Sequence, residues 1–205
     1  MRRKLLGSLF VAGSVMCGLA FADDGHIKVY QTTDIFMAGV PSMKLQGAAT
    51  LFRSKNSLEM RIAASHLDPN AAYTVWWVIF NNPGACAAVC SGADLGTPAV
   101  RASVFYAAGF ITGDDGTGNI SAHVDAGALP IGLDVEPDGT VAGLDAGNGL
   151  AARVQLVIRS HGPVIAGLAH AQIASFGGGC PPNACTNQQA AVFVPVAARD
   201  DDDGR

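Results

Sequence analysis

Three groups of side chains in this chain are of types and spacings that could do chemistry. Ser121, His123 and Asp125 alternate along ISAHVD, so in an extended strand they emerge on one face. A nucleophile, a base and an orienting acid are the parts of hydrolytic catalysis. Neighbours two apart in a strand are about 7 Å from each other, too far for a taut relay, and no oxyanion donors can be identified. The set therefore reads as a polar, solvent-facing edge, and no residue is assigned as catalytic. Metal binding is the alternative: His123 and Asp125, joined by His161, would give a nitrogen and oxygen site for zinc or copper. The five histidines (His26, His66, His123, His161, His170) include no H-x-H or H-x3-H pair. His161 stands at a strand end in RSHGP, where it is expected to cap the loop backbone.

The second group is a cation loop. Asp134, Glu136 and Asp138 fall at positions one, three and five of a twelve-residue frame, with Gly139 sixth and Asp145 twelfth. Calcium loops of the EF-hand kind alternate oxygen ligands around a turning glycine in this way. Glutamate at position three, the short Asp145 at position twelve and Pro130 upstream depart from that pattern. A surface turn is the expectation, with calcium as the alternative.

The cysteines form the third group, and their meaning depends on the compartment. Residues 1–22 (MRRKLLGSLFVAGSVMCGLAFA) combine Arg2, Arg3 and Lys4, an apolar stretch and Ala20-Phe21-Ala22, which is the pattern of a cleavable export signal. Glycines and serines interrupt the run, which suits a signal better than a permanent span. Met16 before Cys17 argues against a lipoprotein. Cleavage after Ala22 leaves Cys86, Cys90, Cys180 and Cys185, an even count that in an oxidising compartment points to two disulfides. A four-thiolate zinc site is the alternative. Four cysteines allow three pairings. Local pairing is preferred, because each pair lies in one Gly/Pro/Ala-rich loop, although such small loops contribute only about 2 kcal/mol each.

Cleavage would leave ten basic against seventeen acidic residues, a net charge of −7, with no basic cluster. A nucleic-acid partner is excluded on that ground, and no membrane span remains. Only two of the acids are glutamate, and only Lys28, Lys44 and Lys55 are lysines of the mature chain. With 25 Gly and 10 Pro, this composition belongs to strands joined by tight turns rather than to helices.

The elements follow from the hydrophobic period. GAATLFR (Gly47–Arg53) and SLEMRIAAS (Ser57–Ser65) flank Ser54-Lys55-Asn56 as a hairpin. Leu58, Met60, Ile62 and Ala64 take one face; Glu59 and Arg61 take the other. In YTVWWVIF (Tyr73–Phe80) Val75, Trp77 and Ile79 oppose Trp76, Val78 and Phe80, so both faces are apolar and both must be covered. One cover is the opposing sheet. The second is expected to be a long loop; an oligomer partner, or a ligand stacking on Trp76 or Trp77, is the alternative. Further strands are expected at Ile27–Thr33, Ala102–Ala107, Phe110–Thr112, Ile120–Asp125, Ala152–Ser160 and Gln188–Val196. A long Gly- and Asp-rich loop spans Ala126–Gly149, and no helix is expected.

YTVWWVIFNNPGAC, ISAHVDAG, RVQLVIRSHGP and SFGGGCPPNAC resemble blocks in a set of exported bacterial β-proteins without an assigned function, over Gln46–Pro195. That resemblance implies a β-fold and carries no site residues over. LDPNAAYTVWW is also similar to the L-x-P-x-x-x-Y-T turn into a strand of many extracellular sandwich domains.

The reading is an all-β protein: an antiparallel β-sandwich over residues 23–197, with barrel-like closure as the alternative and an acidic tail over 198–205. It is expected in the periplasm or outside the cell as a non-catalytic binding or interaction protein, with homo-oligomers allowed. No cofactor is predicted; the alternatives are a zinc or copper enzyme and a carbohydrate-binding module.

Overall fold

Strands form here because β-branched and aromatic residues alternate with polar ones, and their apolar faces can only be buried by packing two sheets together. The computed structural model describes residues 16–17, 21–23, 26–40, 47–129 and 143–196. Its strands are β1 (Met16–Cys17), β2 (Phe21–Asp23), β3 (His26–Asp34), β4 (Phe36–Met37), β5 (Gly47–Ser54), β6 (Ser57–Ala64), β7 (Ala71–Phe80), β8 (Ala102–Ile111), β9 (Gly118–Asp125), β10 (Arg153–Pro163) and β11 (Thr186–Phe193). One antiparallel sheet runs β1-β3-β5-β6-β9, with β2 also on β3; the other runs β4-β11-β10-β7-β8. We call them the front and back sheets. They remain separate, so the fold is the expected sandwich and the barrel-like closure is not formed.

Between the sheets lies one core. Ala49, Leu51, Leu58, Met60, Ile62 and Ile120 from the front sheet meet Tyr73, Val75, Trp77, Ile79, Leu156, Ile158 and Phe193 from the back. The β5–β6 register pairs Ser54 with Ser57, as the predicted hairpin requires. Strands predicted separately at Ala102–Ala107 and Phe110–Thr112 are one strand, β8, whose pairing with β7 shifts register between Val75 and Trp76. A bulge of this kind bends a strand without ending it.

The LDPNAAYT segment enters β7 through a closed turn. The buried Tyr73 hydroxyl accepts the Asp68 amide hydrogen at 2.9 Å, and Thr112 Oγ1 accepts from the Ala71 amide and donates to the Asp68 carbonyl. Burial pushes the Tyr73 phenol above its ordinary pKa, with the Asp68 carboxylate acting in the same direction.

One helix contradicts the reading that none would form: α1 (Ala169–Ala174). AHAQIA consists mostly of good helix formers, but it is too short to show a helical period. Its packing explains Gly109: a Cβ there would collide with the Ile173 carbonyl.

A buried cation closes one end of the core. Arg53, 1% exposed, faces inward beside Leu51. Its Nε donates to Gln31 Oε1 at 2.7 Å, and its terminal nitrogens donate to the carbonyls of Gly149, Ala152 and Val194. None of these partners is a carboxylate. Desolvation pushes the guanidinium down to about 10, still protonated at neutral pH, and it ties the front sheet to both segments that close the back.

Candidate functional site

Among the described residues, three places gather side chains capable of chemistry: the outer face of the back sheet, the outer face of the front sheet, and a cleft at one end.

On the back sheet, Trp76, Val78 and Phe80 are covered by two loops. The first, residues 81–101, packs Cys90 and Val100 on them, with Ala85, Cys86 and Leu95 at its margin. The second, residues 164–185, contributes Phe176. Trp76 meets Tyr106 and Phe176 edge-on at 6.0 and 5.1 Å, and Tyr106 donates to the Ile173 carbonyl. The Arg159 guanidinium lies 4.0 Å over the Phe176 ring. The expected loop cover is therefore what lies there. Trp76 and Trp77 are both 1% exposed, so neither offers a ring face to a ligand.

Each loop is closed by its own disulfide, Cys86–Cys90 and Cys180–Cys185, with Cα–Cα separations of 5.2 and 5.9 Å. The pairing is local. The four thiols do not form one zinc cluster: among the described residues, His161 with Cys180 and Cys185 is the only group of three or more His, Cys, Asp or Glu whose donor atoms converge.

His161 is fully buried at the end of β10. Its Nδ1 lies 2.9 Å from the Gly178 carbonyl. A carbonyl can only accept, so Nδ1 carries the hydrogen. Nε2, 2.8 Å from Thr74 Oγ1, then accepts from that hydroxyl, which itself accepts from Trp76 Nε1 at 2.7 Å. Burial holds the imidazole below its ordinary pKa; the Gly178 hydrogen bond opposes this and the Arg159 charge reinforces it. His161 thus caps the second loop, as its place in RSHGP suggested.

His123 stands on the opposite side of the molecule. It lies on β9, at the edge of the front sheet, half-exposed, and its Nε2 meets Asp125 Oδ1 at 2.9 Å. The side chains of this pair span the strand repeat, so the spacing argument was too strict for His–Asp contact. Ser121 pairs across the sheet with Arg61 instead. Because His123 and His161 are on the outer faces of different sheets, the proposed His123–Asp125–His161 metal set does not assemble. The front face carries a cross-strand row of Tyr30, Phe52, Glu59 and His123. Arg61 binds Glu59 at 2.9 Å and lies 5.0 Å over the Phe52 ring.

Of the calcium-loop residues, Asp134 and Asp138 lie outside the described residues. Asp145 accepts from Arg101 at 2.9 Å, so position twelve of the frame is engaged by a cation of the chain itself. That ion pair belongs to the third place, a polar cleft of about 550 Å³ lined by Asn81, Asn82, Arg101, Asp145, Gly147 and Asn148. Buried Asn81 organises its floor. Its Nδ2 donates to the Arg101 and Gly143 carbonyls, and its Oδ1 accepts from the Asp145 amide. Asn148 Nδ2 donates to the Asn81 carbonyl at 2.8 Å. Arg101 has φ +53°, a left-handed conformation that costs a non-glycine residue of order 1 kcal/mol and clusters at functional sites. Sequence reading missed this cleft because its residues come from two loops far apart in the chain; NNP after β7 was the only local cue.

Comparison with protein-family models, with curated proteins and with solved structures finds no match for this chain. Among the described residues no helix is long and apolar enough to cross a membrane.

Proposed function

We propose that this chain is an exported, non-catalytic binding protein that takes a small hydroxylated ligand in the Arg101–Asp145 cleft. A vicinal diol has the matching chemistry: one hydroxyl accepts from the guanidinium while its neighbour donates to the carboxylate. The observation carrying this reading is the pairing of an exposed cation and an anion on a loop-built, preorganised floor. Loops set on a rigid scaffold are where binding residues concentrate, and the cleft has the volume of small-molecule sites. The strained backbone of Arg101 supports the same assignment. Export rests on residues 1–22 and agrees with two disulfides. A non-catalytic role agrees with the separation of His161 from the His123–Asp125 pair, which lies on the other sheet.

The test is an NMR titration of the oxidised protein with a panel of monosaccharides and linear polyols. Arg101→Gly is the informative variant, because glycine accepts φ +53°, so the guanidinium is removed without straining the backbone. The expected result is shifts confined to Asn81, Asn82, Arg101 and residues 143–149 for at least one sugar, with affinity at least tenfold lower in Arg101→Gly, about 1.4 kcal/mol. Shifts mapping elsewhere, undiminished binding in the variant, or no binding across the panel would sink the proposal.

A further inference from the structure

We infer that the second loop holds a metal site gated by thiol chemistry: once the Cys180–Cys185 disulfide is reduced, Cys180, Cys185 and His161 Nδ1 bind one thiophilic cation, Zn2+ or Cu+. Two thiolates and an imidazole are the donor set such ions prefer, and the C-x4-C spacing is within the range of zinc ligand pairs.

Geometry carries the inference. The donor atoms of the three residues all lie within 4.8 Å of one another, and Cys185 Sγ is 3.3 Å from His161 Nδ1. A metal at about 2.3 Å from sulfur and about 2.0 Å from nitrogen, at a tetrahedral angle, separates those atoms by about 3.6 Å. Seating the ion thus needs a shift of only a few tenths of an ångström there. The larger motion is the parting of the sulfurs to about 3.8 Å, which side-chain rotation at Cα atoms 5.9 Å apart can provide.

The loop does not depend on the disulfide to stay beside His161. Asn183, between the two cysteines, donates from Nδ2 to the carbonyls of His161 and Pro163 at 2.7 and 2.8 Å. Buried Gln172 donates to the same two carbonyls, and the Asn183 amide donates to the Gly179 carbonyl. The ligands therefore remain convergent when the S–S bond opens. Thr74 supplies the outer contact: with Nδ1 on the metal, Nε2–H donates to Thr74 Oγ1, the orienting bond that ligating histidines require. Both cysteines are half-buried, as is Cys86 of the other pair, whereas Cys90 is buried, so a reductant can approach either sulfur of this disulfide.

The gating step balances as thiol–disulfide exchange. A thiolate of an external dithiol attacks one sulfur, the Cys180–Cys185 bond breaks, and the dithiol's second thiol resolves the mixed disulfide. The reductant leaves as a disulfide, and the chain gains two electrons and two protons. Metal binding then releases the two thiol protons, while the single proton of the neutral imidazole passes from Nδ1 to Nε2.

The experiment reduces the full chain anaerobically with dithiothreitol, removes the reductant, and titrates Zn2+ and Cu+ separately against chromophoric chelators while following tryptophan fluorescence. One equivalent is expected in reduced wild type and in Cys86→Ser/Cys90→Ser. None is expected in oxidised protein or in Cys180→Ser/Cys185→Ser, and His161→Gln should bind at least tenfold more weakly. Fluorescence should change on binding, because Trp76 is hydrogen-bonded to Thr74. The inference is overturned by no binding in reduced wild type, by binding that survives Cys180→Ser/Cys185→Ser, or by binding only after the near-ultraviolet dichroism of the fold is lost. The zinc and copper arms show which ion is preferred; binding of either supports the site.

Discussion

On the back sheet, Trp76, Val78 and Phe80 lie beneath two loops, each closed by its own disulfide. On the front sheet, Glu59, Arg61 and His123 are open to solvent around Phe52. Both sheets face the same core, so the difference comes from outward residues alone. β7 is apolar at every outward position except Thr74, and it demands a second cover. β6 and β9 alternate cleanly and need none. An apolar outward face recruits chain to cover it, and that chain brings polar groups into burial, where each must find a partner. The Trp76–Thr74–His161–Gly178 chain of hydrogen bonds is the result. Chemistry on the back face is therefore buried and fixed, while chemistry on the front face is exposed and loosely held.

The largest effect should come from removing the anchor of the covered face. Trp76 touches Tyr106 and Phe176, and its indole N–H is paired with Thr74. Trp76→Ala should cost about 3–5 kcal/mol in urea unfolding. A loss below about 1 kcal/mol would mean that the loops carry little of the stability and that the contrast between the faces is cosmetic.

His161 gives a smaller effect with a definite sign. Its pKa is lowered in the folded protein, first by burial. As pH falls below about 6.5 the unfolded chain takes up a proton that the folded one refuses. The stability contributed by neutral His161 is therefore fully present above that pH and lost below it, at up to about 1.4 kcal/mol per pH unit. Urea midpoints from about pH 7.5 down to about pH 5.5 should fall more steeply in wild type than in His161→Gln. Parallel slopes would show that the covered face does not hold its histidine neutral.

The fold was legible where one physical demand dominated. Leu58, Met60, Ile62 and Ala64 had no face to occupy but the core, and the doubly apolar run of Tyr73–Phe80 demanded two covers, which it has. The two disulfides were legible because each cysteine pair sits in one short loop. The candidate site was not, because it depends on where loops meet. Arg101 and Asp145 are 44 residues apart, and nothing local says that they touch. Arg53 ends the first hairpin arm, and its burial is tolerable only because Gln31 Oε1 and three carbonyls from elsewhere in the chain accept from it. His161 was legible as a cap but not as a neighbour of Cys185, since the turn returning the second loop to β10 depends on Gln172 and Asn183.

The smallest effect is the one that sharpens the contrast most. His123 and Asp125 make a hydrogen bond of the same length as that between His161 Nδ1 and Gly178, 2.9 Å, yet both side chains are more than half exposed. Exposed pairs gain little, because water competes for both partners and ordering the side chains costs entropy. His123→Ala/Asp125→Ala should change the unfolding free energy by less than about 0.5 kcal/mol and leave sugar binding at the Arg101 cleft unaltered. Added salt should not change that difference appreciably, since little Coulomb energy remains to be screened. A loss above about 1.5 kcal/mol, beyond what an exposed ion pair provides, would mean that the front face is covered in solution by something that shields the pair. Sedimentation of the wild type and the double variant would then show whether that cover is a second copy of the chain.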